Sequence, residues 1–175
     1  KDKTLSEKLS SDVDEMEKML NEYLQFASTG AKEKTEMFDL SELVQNLIKK
    51  YENPNIIQNF KNEIYYNGRK NLISRCINNL IENSLKYGKK IEVKIEKNQD
   101  NIMISISDDG PGIPENEYEN ILKPFYKIDK SRSETKSSVG LGLSIASDIV
   151  RSHGGDIKFS KSKYSGLEVS IFLPF

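Results

Sequence analysis

The chain is poor in cysteine, in histidine and in net charge, and each scarcity removes a class of protein. A single thiol, Cys76, cannot build an internal disulfide framework and fits a reducing compartment. It falls in the run Leu72–Ile77, at helical spacing with Ile73, Ile77 and Leu80, which reads as a small buried apolar residue rather than a reactive thiol. Twenty-six basic against twenty-seven acidic residues leave a net charge of −1, so no broad basic face exists and nucleic acid is excluded as the expected partner. The one local basic cluster is Lys127, Lys130, Arg132 and Lys136. No apolar run approaches the roughly 20 residues of a membrane span, and no signal-peptide pattern is present, so the expectation is a soluble fragment. No Gly-Lys-Ser/Thr triplet occurs, which excludes a Walker P-loop. No internal repeat is apparent.

What is present is enough for one domain of ordinary size plus an appendage: 175 residues, 36% of them hydrophobic. Residues 1–29 read as one amphipathic helix, with Leu5, Leu9, Val13, Met16, Leu20, Tyr23 and Ala27 recurring at steps of three and four. A lone helix cannot bury that stripe, so a partner helix is expected. Residues 30–36 lack apolar periodicity and read as a linker. From 37 to 175 the pattern predicts a strand at Met37–Leu40, a helix over 41–51 started by Asp39 or Leu40, and strands near 56–60 and 63–66 with Asn67-Gly68 as a turn. A long helix over 69–87 follows, then a hairpin of alternating strands at 90–97 and 101–107, a short helix over 115–122 and a polar loop over 128–139. A helix over 140–153 and strands near 156–161 and 166–173 complete a two-layer α/β sandwich, one mixed sheet covered by helices on one face.

Three segments carry the chemistry: Asn79–Gly88 (NLIENSLKYG), Asp108–Ile113 (DDGPGI) and Gly140–Leu143 (GLGL). In that order they place two asparagines on one helix face, an acidic glycine turn after a strand, and a glycine turn whose amides open a helix and can face an anion. Together, and with Lys123-Pro124-Phe125-Tyr126-Lys127 between the two glycine turns, they resemble the ATP-binding domain of sensor histidine kinases in the gyrase, Hsp90, histidine kinase and MutL superfamily. The resemblance implies the Bergerat ATP-binding fold, with ATP and Mg²⁺ as cofactors.

It implies roles residue by residue. Asn83 supplies an amide oxygen to Mg²⁺, a hard cation that takes oxygen ligands. Asn79 is a second polar position on that face, Lys86 reaches toward phosphate, and Tyr87 lines the adenine or ribose side. Glu82 either orients a ligand water or is a solvated surface residue. Asp108 accepts a hydrogen bond from the exocyclic amine of adenine, which guanine cannot offer. Gly110 and Gly112 allow positive φ and close approach to the base, with Ile113 beside them. Gly140, Leu141, Gly142 and Leu143 face the phosphates; Lys127 contacts the γ-phosphate, and Lys130 or Arg132 adds neutralisation. Asp109 reads as a surface residue, and Phe125 and Tyr126 as anchors of the loop.

His153, the only histidine, ends a helix where a cation suits the dipole, and is not the phosphorylated residue. In the family that acceptor histidine lies on the first helix of a dimerising hairpin; residues 1–29 resemble the second, so the chain is expected to be a truncated or processed fragment. Catalysis is then transfer of the γ-phosphoryl, with Asn83 and Lys127 as the catalytic pair, to the acceptor hairpin and onward to a response-regulator receiver domain. The implied parent is a homodimeric, osmosensor-like kinase anchored in the inner membrane, with this part in the cytoplasm. An anti-sigma-factor-type serine kinase and a nucleotide-switched regulatory module are the alternatives.

Overall fold

The computed structural model describes residues 33–128 and 140–175, together with positions 10, 13, 14, 16, 17, 20 and 24. Those seven positions are helical and exposed, among them the apolar Val13, Met16, Leu20 and Leu24. The rest of the predicted first helix, residues 30–32 of the linker, and 129–139 of the polar loop lie outside the described residues.

The chain runs β1 (Glu36–Asp39), α1 (Leu40–Lys49), β2 (Ile56–Asn59), β3 (Tyr65–Gly68), α2 (Lys70–Tyr87), β4 (Ile91–Lys97), β5 (Asn101–Asp108), α3 (Gly142–Ser152), β6 (Asp156–Lys161) and β7 (Leu167–Pro174). Asp39 turns strand into helix: its Oδ1 accepts from the amides of Ser41 at 2.8 Å and Glu42 at 3.2 Å, satisfying orphan donors of α1. β2, β4, β5, β7 and β6 form one five-stranded sheet in that order, parallel only between β2 and β4.

Period-two alternation sorts the two faces of this sheet. Val93, Ile106 and Val169 stand in register on the inner face, as do Ile95, Ile104, Ile171 and Ile157. They pack against Leu72, Ile73, Ile77, Leu80 and Ile81 of α2 and Ile145, Ile149 and Val150 of α3, in one core cluster. Glu92, Ser107, Glu168 and Ser160 share a register row on the other face, where Ser107 Oγ donates to Glu168 Oε2 at 2.6 Å and Lys163 pairs with Glu92 at 2.6 Å. This is the expected sandwich, helices on one face of a mixed sheet.

Two expectations fail. Asn67-Gly68 is not a turn: β3 pairs antiparallel with β1, with Glu36 opposite Gly68 and Met37 opposite Asn67. Residues 115–122 are two 3-10 turns, Glu115–Glu117 and Asn120–Leu122, rather than one helix.

Candidate functional site

Inner-face alternation along β5 (Ile102, Ile104, Ile106) continues to Asp108 at the strand end. A carboxylate thereby points to the helix-covered side, where it is only 3% exposed. Its Oδ1 accepts from the amides of Gly110 at 2.9 Å and Leu167 at 3.1 Å. Its other oxygen has no partner among the described residues, and none of their side-chain polar atoms is buried unsatisfied, so that oxygen reaches solvent. One oxygen is fixed by the fold and the other is offered.

The approach is close enough to dictate residue type. A β-carbon on Gly166, in the β6–β7 turn, would overlap the Asp108 carboxylate and carbonyl and lie 2.6 Å from Gly110 N. Gly110 itself does not take positive φ, contrary to expectation; Gly112 does, at 70°. What excludes a side chain at Gly110 is proximity, since its β-carbon would sit 2.9 Å from Asp108 Oδ1 and 3.0 Å from Tyr87 O. The end of α2 therefore lies directly on the acidic turn, with Ile113 partly buried against the core beyond it.

Asp109 is exposed as expected but not idle. Its Oδ1 accepts from Lys89 N at 2.6 Å and Lys90 N at 2.9 Å, fastening the α2–β4 turn. The Lys90 amide first, then that of Lys89, holds this carboxyl below the usual carboxylate range.

α2 brings the asparagines over the same region. Asn79 Nδ2 donates to Gly142 O at 3.3 Å, joining α2 to the first residue of α3. Asn83, one turn on and half-buried, makes no side-chain hydrogen bond to the described residues. Lys86 Nζ lies 5.2 Å from the ring centroid of the exposed Tyr87. Glu82 is engaged on the adjacent stripe, where Tyr51 Oη donates to Asn78 Oδ1 at 2.7 Å and Asn78 Nδ2 to Glu82 Oε1 at 2.8 Å, so its contacts serve helix packing.

At the third segment, the Phe125 amide donates to Gly140 O at 3.0 Å, which brings the two ends of 126–139 together. The anchoring is by the Phe125 backbone, not its ring, which is exposed on a residue of φ 65°. Tyr126 does anchor by side chain, donating to Glu117 Oε2 at 2.6 Å. Lys127 follows, half-buried; Lys130 and Arg132 lie outside the described residues. Leu141 is buried and Leu143 partly so, both in the core, which leaves only their backbone to face a ligand.

The far end of α2 holds two features that the sequence reading did not find. Arg69, its N-cap, makes no side-chain cap. Glu33 does so from a distance, Oε1 accepting from Asn71 N at 2.5 Å and Oε2 from Leu72 N at 3.1 Å. His153 Nε2 accepts from Arg69 N at 3.2 Å while Nδ1 meets Ile149 O at 2.7 Å. Accepting at Nε2 and donating at Nδ1 requires the neutral ring, and burial first of all pushes its pKa below the ordinary 6.5. The expected cation at the helix end is thus corrected: His153 is a neutral link between α2 and α3.

The sequence family described as histidine kinase-, DNA gyrase B- and HSP90-like ATPase matches residues 68–175. Sensor histidine kinase GtrS of Pseudomonas aeruginosa is 33% identical over 99% of this chain and 36% of its own length. Sensor histidine kinase CpxA of Escherichia coli is 36% identical over 61% of this chain and 24% of its own. The chain thus spans about a third or less of these relatives. The solved mycobacterial sensor histidine kinase MprB shares the fold at TM-score 0.69 and 21% identity, covering 81% of this chain and 97% of that one.

Proposed function

The chain belongs to the histidine kinase-, DNA gyrase B- and HSP90-like ATPase family, and from that premise we propose that it is the ATP-binding catalytic part of a sensor histidine kinase. It transfers the γ-phosphoryl of ATP to a histidine on a dimerisation hairpin, for relay to a response-regulator aspartate. The observation that carries this reading is the division of labour within Asp108: Oδ1 is locked by two backbone amides and the other oxygen is left to accept from a ligand. Adenine offers an amine to such an acceptor, whereas guanine presents a carbonyl.

The remaining residues follow the path of a triphosphate away from the base. Tyr87 flanks the nucleoside and Lys86 the phosphates, and Asn83 presents an uncommitted amide. That amide would hold Mg²⁺, a hard cation that takes oxygen ligands and would offset phosphate charge there. Asn79 holds α2 against the start of α3, which keeps the Gly142 end of that helix beside the asparagine-bearing helix. Lys127 sits at the foot of the loop beside Gly140 and contributes cationic charge toward the γ-phosphate; Lys130 and Arg132 extend it. These groups orient the phosphoryl and stabilise its charge while an imidazole nitrogen from the hairpin attacks in line and ADP leaves.

Residues 1–29 are read as the second hairpin helix, 30–36 as the linker and 37–175 as the catalytic domain. The exposed Val13, Met16, Leu20 and Leu24 suit the homodimeric bundle of such a hairpin. No helix among the described residues is long and apolar enough to cross a membrane; a membrane anchor and the signal it reports belong to the parent kinase.

The test is calorimetry followed by transfer. Mg-ATP should bind and GTP should not, and Asp108→Asn should weaken ATP at least about tenfold, the effect of one charged hydrogen bond. Labelled γ-phosphate should pass to a separately supplied acceptor hairpin as an acid-labile adduct. Equal binding of GTP, or an acid-stable adduct, would overturn the assignment, the latter in favour of serine-kinase chemistry.

A further inference from the structure

The helix that carries Asn79 and Asn83 has no N-terminal cap of its own: Arg69 makes none, and no acidic residue stands in the first turn. Its orphan amides are taken by groups from elsewhere, Arg69 N by His153 Nε2, and Asn71 N and Leu72 N by the two oxygens of Glu33. Glu33 lies 38 residues before Asn71, in the stretch read as the linker. It is the one anion the fold supplies at the positive end of this helix dipole among the residues that cap it.

We infer that Glu33 is a positioning residue through which the linker controls nucleotide binding, an inference that rests on the ATP reading above. Two observations make the cap releasable rather than a fixed part of the core. Glu33 borders an open groove with Tyr66, Arg69, Ser152, His153 and Phe175, so its carboxylate can leave into water without opening the sandwich. The register Glu36–Gly68 pins the chain three residues later, which keeps Glu33 within reach of the same amides and favours recapture. Displacing the linker breaks two charge-assisted hydrogen bonds at one end of α2; Asn83 sits about three turns along the same rigid element. Fraying the turn that seats Leu72 and Ile73 loosens the helix against the core and so shifts the asparagine face against Asp108 and Gly142. Coupling of this kind is reciprocal: nucleotide must tighten the cap as much as the cap tightens nucleotide.

The experiment compares the 175-residue chain with Glu33→Ala and Glu33→Gln, using a non-hydrolysable ATP analogue with Mg²⁺, calorimetry and residue-resolved hydrogen exchange. Loss of the cap should speed exchange at Asn71 and Leu72 about tenfold in Glu33→Ala, the scale of one helix cap. The analogue should bind about threefold to tenfold more weakly, a typical coupling. Glu33→Gln, which keeps one acceptor oxygen and the chain length, should fall between. The readout that a merely structural role would not move is the response to ligand: the analogue slows exchange at Asn71 and Leu72 in the wild type and not in Glu33→Ala. Wild-type affinity in Glu33→Ala, or cap amides indifferent to the analogue in the wild type, would overturn the inference and leave the ATP assignment standing. No binding of the analogue by the wild type would instead remove the ATP assignment, and the coupling with it.

Discussion

Replacing Gly166 by alanine adds one methyl group where the fold has no room for it. The added carbon would overlap both the carboxylate and the carbonyl oxygen of Asp108 and come within 2.6 Å of Gly110 N. These obstacles are backbone and a side chain pinned by two hydrogen bonds, so none can swing aside. Overpacking costs about 1–3 kcal/mol, and releasing one amide from a buried carboxylate adds roughly 1.5–3, which gives about 2.5–6 kcal/mol in all. That is a large share of the 5–15 kcal/mol of a typical domain. Gly142→Ala is the matched control, since among the described residues its β-carbon would meet nothing nearer than Asn79 Cβ at 3.9 Å. As the first residue of α3 it should gain a few tenths of a kcal/mol in helix propensity instead. Urea unfolding followed by circular dichroism gives the comparison, with midpoints shifting in opposite directions at unchanged slope. A Gly166→Ala midpoint equal to or above the wild type would refute the steric argument and the placement of the β6–β7 turn against Asp108.

Asn83→Ala should weaken ATP analogue binding about tenfold with Mg²⁺ present and little in EDTA; an equal loss in both would detach the amide from the metal. Tyr51→Phe should cost about 1 kcal/mol by leaving Asn78 Oδ1 without its donor, checked by chemical denaturation; an unchanged midpoint would mean water replaces the hydroxyl at no loss. Because the folded pKa of His153 lies below its ordinary 6.5, the unfolded chain binds the extra proton first. The stability from its neutral bridge is therefore full above about pH 6.5 and lost as pH falls through the folded value. His153→Gln should flatten that part of the stability–pH curve, and an unaltered slope would show that the ring titrates freely.

Local pattern carried the sheet and the inward aim of Asp108. Ile91, Val93 and Ile95 against Ile102, Ile104 and Ile106 announce a hairpin with one buried face, and the same alternation aims Asp108 inward. Asn79 and Gly142 were read as parts of one candidate site because each belongs to a short segment with its own chemistry, and the structure joins the two by a hydrogen bond. What the sequence hid is long-range. Asn67-Gly68 has the chemistry of a turn, yet a partner strand thirty residues upstream holds it extended. Gly166 looks like an ordinary turn glycine until Asp108 is folded against it. Glu33 is one charge in a polar stretch, and only the juxtaposition with Asn71 reveals a cap. His153 reads as a cation from its helix position, because the donor that demands its neutral form comes from Arg69.

The strand order has a consequence for synthesis. β5 lies between β4 and β7, and β7 ends at Pro174, 66 residues after Asp108 ends β5. A chain emerging from the ribosome therefore exposes one open flank of β5, with Ile102, Ile104 and Ile106 beside it, for the whole time that the loop, α3 and β6 are being made. At roughly 5–20 residues per second that interval is several seconds, long against the microseconds in which a hairpin forms. The nascent domain must spend it as an unfinished sheet, open to pairing with a neighbouring nascent chain. Only the arrival of Leu167–Pro174 closes the flank and, through the Leu167 amide, sets the Asp108 carboxylate in place, so the candidate site is completed with the last strand of the sheet.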